Sequence, residues 1–239
     1  MLAILKKELN SFFSTPIGYL VIAVFLLANG LFLWVFNGDF NILNAGFADL
    51  NSFFFLAPWI FIFLIPAITM RTFSDEYHSG TIEILKTKPI SDRQIILGKY
   101  FASFILIILA VAPTIIYVYS IYKLGNPEGN FDVGSMLGSY VGLLFLAGTY
   151  TAIGLFSSTF SSNQIVAFII AICISFLLFY GFEAASTLFG NSAYTIQQLG
   201  INEHYKSISR GVIDTRDIIY FLSIICAFLS FTKLRLERE

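Results

Sequence analysis

Six long apolar runs, at residues 17–36, 53–70, 100–122, 133–160, 165–182 and 218–232, constrain this chain more than any other feature. About 20 helical residues at 1.5 Å rise cross the ~30 Å hydrocarbon core of a bilayer. Lipid offers no partner to a bare peptide group, so each run must close its own hydrogen bonds as a helix. The sixth run is short, and Asp214 to Asp217 are expected to extend the same helix. The expected fold is therefore an all-α membrane protein with six transmembrane helices, forming one transmembrane domain over residues 1–239.

Composition agrees. Charged residues make up 12% of the chain, against about 25% in an ordinary soluble domain, while 57% is hydrophobic and the mean hydropathy is +0.79. Water cannot be the solvent for most of this surface, and the lipid bilayer is the first expected partner. A net charge of −1 produces no field that would gather nucleic acid. Cys173 and Cys226 both fall inside apolar runs and are read as packing residues, with no disulfide or metal role.

Basic residues orient the runs. With the N-terminus inside, Lys6, Lys7, Arg71, Lys86, Lys88, Arg93, Lys99, Lys233, Arg235 and Arg238 lie on the cytoplasmic side. Lys123, Lys206, Arg210 and Arg216 lie outside, and an even number of spans puts both termini in the cytoplasm. The first run is expected to stay as an anchor, since a polar break and Pro16 separate it from Lys6 and Lys7. Before it, Leu2, Leu5, Leu9 and Phe12 recur at helical spacing. Residues 1–15 therefore read as a helix lying in the inner interface, cut off from the first span at Pro16.

Within the spans, Pro66 and Pro113 each free a carbonyl and invite a kink. Gly134, Gly138 and Gly142 repeat every four residues, a helix-packing stripe that lets another helix approach closely. The extracytoplasmic loop, residues 183–217, holds enough Phe, Leu and Ile around Gly190 and Gly200 to form short helices resting on the bundle. Asp214 is expected to cap the sixth span, with Asp217 in its first turn and Arg210 and Arg216 forming outer-interface ion pairs with these acids.

Chemistry is conspicuous by what is missing. As delimited above, the six runs contain no Asp, Glu, Lys, Arg or His, which argues against a carrier driven by ion gradients. No His-Glu-x-x-His or Gly-x-Ser-x-Gly pattern occurs, so no catalytic residues and no metal site are expected. His78 and His204 fall on opposite sides of the membrane and read as ordinary loop residues. Gly98-Lys99 is not a phosphate-binding loop, because no glycine stands five residues before it. The chain is expected to be non-catalytic and to bind no cofactor of its own.

The positive signal is the segment over residues 71–99. Gly80 and Thr81 can open a short helix with Glu83 in its first turn, and Pro89 stops it. Ser91 and Gln94 then read as a capping box for the third span. A short capped helix on the cytoplasmic face offers a rigid knob to a partner, although a plain connection would look the same locally.

Glu76, Gly80-Thr81, Glu83 and Pro89-Ile90-Ser91, followed by Gly98-Lys99, resemble the permease subunits of type-2 ABC exporters. The opening Leu5 to Glu8, with Pro16 and Gly18-Tyr19, fits the same family, and the stretch from Ser209 to Tyr220 is most similar to its gliding-motility branch. The resemblance implies that Glu76, Gly80, Thr81, Glu83 and Pro89 couple the permease to a cytosolic ABC ATPase subunit. That subunit would bind ATP and Mg. A second permease or a larger membrane subunit would complete a homo- or heterodimer in the bacterial inner membrane. Two other readings remain open at this point, a non-transporting membrane scaffold for surface machinery and an ion-coupled secondary carrier.

Overall fold

A computed structural model describes residues 1–188, 193–211 and 214–238. It is all-helical, with no strand among the described residues. Six helices are long and apolar enough to cross a membrane: Pro16–Val35, Asn51–His78, Asp92–Leu124, Val133–Ser157, Gln164–Ser186 and Thr215–Leu236.

α1 (Leu2–Ser14) ends at Thr15, whose extended backbone lets Pro16 occupy the first turn of α2 (Pro16–Gly30). The expected stripe on α1 is only partly the buried one. Ile4 and Phe12 face the bundle, while Leu2 is 77% exposed. The inner face of α1 follows residues 4, 8 and 12, and the leucines sit beside it.

The second span is α3 (Asn51–Thr69), followed after a turn at Met70 by α4 (Arg71–His78). Together they run 28 residues, ~42 Å, so α4 projects beyond the hydrocarbon. α5 (Thr81–Lys86) is the short helix after Gly80. The third span begins with α6 (Asp92–Val111), tightens at Pro113 into a 3-10 turn, and ends as α7 (Ile115–Leu124). Pro113 thus breaks regularity where expected. Pro66 is absorbed within α3, as is Pro58, a residue to which the sequence reading gave no role.

α8 (Val133–Ser157) is the central pillar and packs against α3, α6, α9 (Gln164–Phe176) and α13 (Thr215–Leu236). The fifth span continues past α9 through a π-helical turn into α10 (Phe182–Ser186). Its two short successors are α11 (Ala193–Gln197) and α12 (Ile201–Ser209). The first, fifth and sixth spans bury little of themselves. For that reason Cys173 and Cys226, read as packing residues, are exposed on the bundle's flanks.

At the end opposite the termini, α12 lays Ile201, Tyr205 and Ile208 into the bundle. Pro58 cannot donate to the Phe54 carbonyl, and the Tyr205 hydroxyl donates to it instead at 2.7 Å. Burial pushes the Tyr205 phenol well above its usual range, which keeps it a donor. The glycine stripe of α8 serves this same docking. A Cβ on Gly138 would lie 2.5 Å from the Ile208 carbonyl oxygen, and one on Gly142 would lie 3.3 Å from the Tyr205 ring. Gly134 lies at the Gly211 turn. Gly190 falls outside the described residues.

Candidate functional site

The connection between the second and third spans shares one end of the bundle with the end of α13, where Lys86 donates to the Leu236 carbonyl at 2.8 Å, and with α1, where Lys99 donates to Glu8 at 3.0 Å. That carbonyl belongs to the last residue of α13, where a helix leaves acceptors unpaired and favours a cation. α5 is thereby pinned to the end of the sixth span.

α5 has no buried residue. Gly80 adopts φ +68°, a left-handed conformation that a β-carbon disfavours, and turns the chain sharply between α4 and α5. Glu83 stands in the first turn and Lys86 in the last, each favourable for the helix dipole. Thr81, Glu83 and Ile84 face solvent, Ile84 at 61%, while Ile82 and Leu85 rest on a patch containing Phe73, Ile96 and Leu236. Pro89 lies in the exposed turn before α6. Ser91 starts α6 by its extended backbone, but its side chain makes no cap bond, so the expected capping box does not close.

Glu76 is placed differently from Glu83. It is buried in an ion cluster that joins α1, α4 and α6. The Lys99 ammonium, 1% exposed, lies 2.9 Å from one Glu76 carboxylate oxygen and 3.0 Å from a Glu8 oxygen. It also donates to the Thr72 carbonyl at 2.6 Å and sits over the Phe73 ring. Lys7 reaches the same Glu76 oxygen at 3.2 Å. Burial lowers the Lys7 pKa, but Glu76 and Glu8 outweigh it and the net shift is upward. Two cations and two carboxylates balance, which makes burial tolerable.

α4 is held on its other sides as well. Ser74 donates to the Ser158 carbonyl at 3.1 Å, the Thr72 and Ser158 hydroxyls pair at 3.0 Å, and Asp75 accepts from Gln164. Gly98 admits α1, since a Cβ there would meet Ile4 at 2.9 Å. The base is therefore a lever with a free tip: α5 is exposed, and α4 is bonded to α1, α6 and the junction of the fourth and fifth spans. The sequence reading did not give Lys7, Glu8, Lys99 or Thr72 this role. The available signal was a lysine at the very mouth of an apolar run, with acids one helix away.

At the opposite end, Asp214 caps α13 by accepting from the Arg216 backbone N–H at 2.9 Å. The expected arginine–aspartate pairs are replaced by other partners. Asp217 pairs with His204 Nδ1 at 2.7 Å, and Arg210 reaches Glu203 at 4.0 Å. His204 belongs to α12 and is no loop residue. Its other ring nitrogen meets the Gln198 carbonyl, and its ring stacks on Tyr220. Docking of α12 beside the top of α13 brings His204 to Asp217 and leaves the arginines at the rim. His78 closes the last turn of α4.

An all-helical bundle with six membrane-length spans, a buried brace at its base and an exposed short helix beyond that brace has the form of a multi-pass membrane domain. The family model for ABC-2 family transporter protein matches residues 2–213, and the chain belongs to that family. No individual curated protein matches the chain significantly. Family membership makes it the permease component of an ABC transporter, a role usually non-catalytic in itself, with an ABC ATPase and the membrane as partners.

Proposed function

We propose that this chain couples ATP hydrolysis on a separate cytosolic ATPase to export across a bacterial inner membrane, and that α5 is its coupling helix. In this reading both termini are cytoplasmic. ATP and Mg are bound by the ATPase, and a second permease or larger membrane subunit completes the path. The observation that carries the reading is the contrast between α5, exposed along its Thr81–Glu83–Ile84 face, and α4, bonded on several sides to elements that run through the membrane. A push on α5 would enter the bundle through α4, reaching α1 by Glu76 and the fourth and fifth spans by Ser158 and Gln164. Similarity over Ser209 to Tyr220 supports a place in gliding motility.

The test uses the whole complex in vesicles. Gly80→Pro, which cannot adopt a positive φ, and Glu83→Lys, which reverses the first-turn charge, are expected to leave assembly of the bundle intact while reducing permease-dependent ATP hydrolysis by tenfold or so. Hydrolysis indifferent to both substitutions would favour a scaffold. Loss of surface gliding on deletion of the gene, restored by the wild-type chain but not by Gly80→Pro, tests the motility assignment.

A further inference from the structure

A second surface lies beside the lever and shares Tyr100 and Ile225 with the apolar patch on which α5 rests. Between the third, fourth and sixth spans runs a furrow of about 310 Å³, lined by Tyr100, Phe104, Leu144, Gly148, Leu222 and Ile225. Its walls are almost wholly apolar and it opens sideways, where the bilayer lies. Gly148 is its floor: a Cβ there would stand 2.9 Å from the Tyr100 hydroxyl and 3.3 Å from Ile225. Tyr100 marks the end nearer the termini, and among the described residues its hydroxyl has no hydrogen-bond partner.

Arg93 completes the pattern. It precedes Tyr100 by seven residues on α6, which is two helical turns and ~10 Å along the same face. It is exposed, and no carboxylate pairs with it among the described residues. Across the furrow, Lys233 stands in the last turn of α13, paired with Glu237 at 2.8 Å. From the mouth inward the surface therefore offers an unpaired guanidinium, a phenolic hydroxyl and a dry trough at hydrocarbon depth. A phospholipid has the matching order of phosphate, ester carbonyl and acyl chain.

The geometry points to a specific binding site for one anionic phospholipid of the leaflet on the termini side. Its phosphate lies at Arg93, an ester carbonyl accepts from Tyr100, and one tail fills the furrow over Gly148. The occupant is a lipid and not a soluble phosphate, because most of the lining lies at membrane depth. The site does not depend on the coupling proposal.

The test is lipid retention by the full-length protein, purified in mild detergent and measured by native mass spectrometry. Purification is followed by exchange into nanodiscs of phosphatidylcholine with or without phosphatidylglycerol. Wild-type protein is expected to retain phosphatidylglycerol and to melt at a higher temperature in the mixed discs. Arg93→Gln, a surface change that leaves the fold in place, is expected to weaken retention about fivefold, the effect of one basic residue at an anionic surface. Gly148→Leu, which fills the floor, should abolish retention of either lipid, and Tyr100→Phe should weaken it less than Arg93→Gln does. Equal retention of the two lipids by the wild type, or retention unchanged in Arg93→Gln, would overturn the assignment and leave only ordinary boundary lipid.

Discussion

The Lys99 ammonium sits 2.9 Å from a Glu76 carboxylate oxygen at a point where almost no water reaches either group. One residue belongs to the mouth of the third span and the other to the extension of the second, so the pair fastens α4 to α6. Glu8 draws α1 into the same contact at 3.0 Å. A charge buried this well is costly when it loses its counterion, far more so than when the whole cluster is neutralised together.

Lys99→Met should therefore destabilise the protein by about 3–5 kcal/mol, since it leaves two buried carboxylates with only the largely exposed Lys7 to balance them. Adding Glu8→Gln and Glu76→Gln to it should recover much of the loss. Thermal melts in detergent decide: a triple variant no more stable than Lys99→Met would show that the carboxylates were not the source of the penalty.

Lys7 makes a pH-dependent contribution of known sign. Its folded pKa is raised above the usual 10.5, so the protonated form is favoured by folding. The stability it adds is fully present below about 10.5 and disappears as pH rises through the folded value. The difference in melting temperature between wild type and Lys7→Gln should be constant from neutral pH to about 9.5 and shrink above 10.5. It should also be small, because the Lys7 side chain is 62% exposed.

Tyr205→Phe removes the 2.7 Å hydrogen bond to the carbonyl that Pro58 abandons, at a cost of about 1–3 kcal/mol. Pro58→Ala restores an intrahelical donor to Phe54. In that background the Tyr205→Phe penalty should fall to well under half. Additive losses in the double variant would refute the compensation.

The three glycines of the α8 stripe should differ sharply. Gly138→Ala drives a methyl group against the Ile208 backbone and should cost about 1–3 kcal/mol. Gly142→Ala meets the edge of the Tyr205 ring and an Ile208 methyl at 3.3–3.4 Å, and Gly134→Ala the Asp132 side chain, so each should cost less. Proteolysis of the loop around α12 provides a second readout, with faster cleavage expected for Gly138→Ala alone.

Some of this was written locally and some was not. The six spans follow from run length and hydropathy, because a lipid solvent forces each run to satisfy its own backbone. α5 is equally local: Gly80 provides the positive φ that starts it, and Pro89 follows its end. The break at Pro16 and the Asp214 cap also rest on neighbours within a few residues. Partners across the chain were not legible in this way. Glu76 is joined to Lys7, 69 residues earlier, and Tyr205 to Phe54, 151 residues away. Nothing in the segment around Glu76 separates its buried face from the exposed face of Glu83. Likewise, charge alone favoured Arg210 or Arg216 for Asp217, and the seating of α12 against α8 gave that place to His204. The chain alone determined which segments are helices and where they stop, because those energies are settled within a turn or two. Which side chains meet at the brace was decided only when close approach at Gly98, Gly138 and Gly142 set how the helices pack, since burial and pairing depend on that packing.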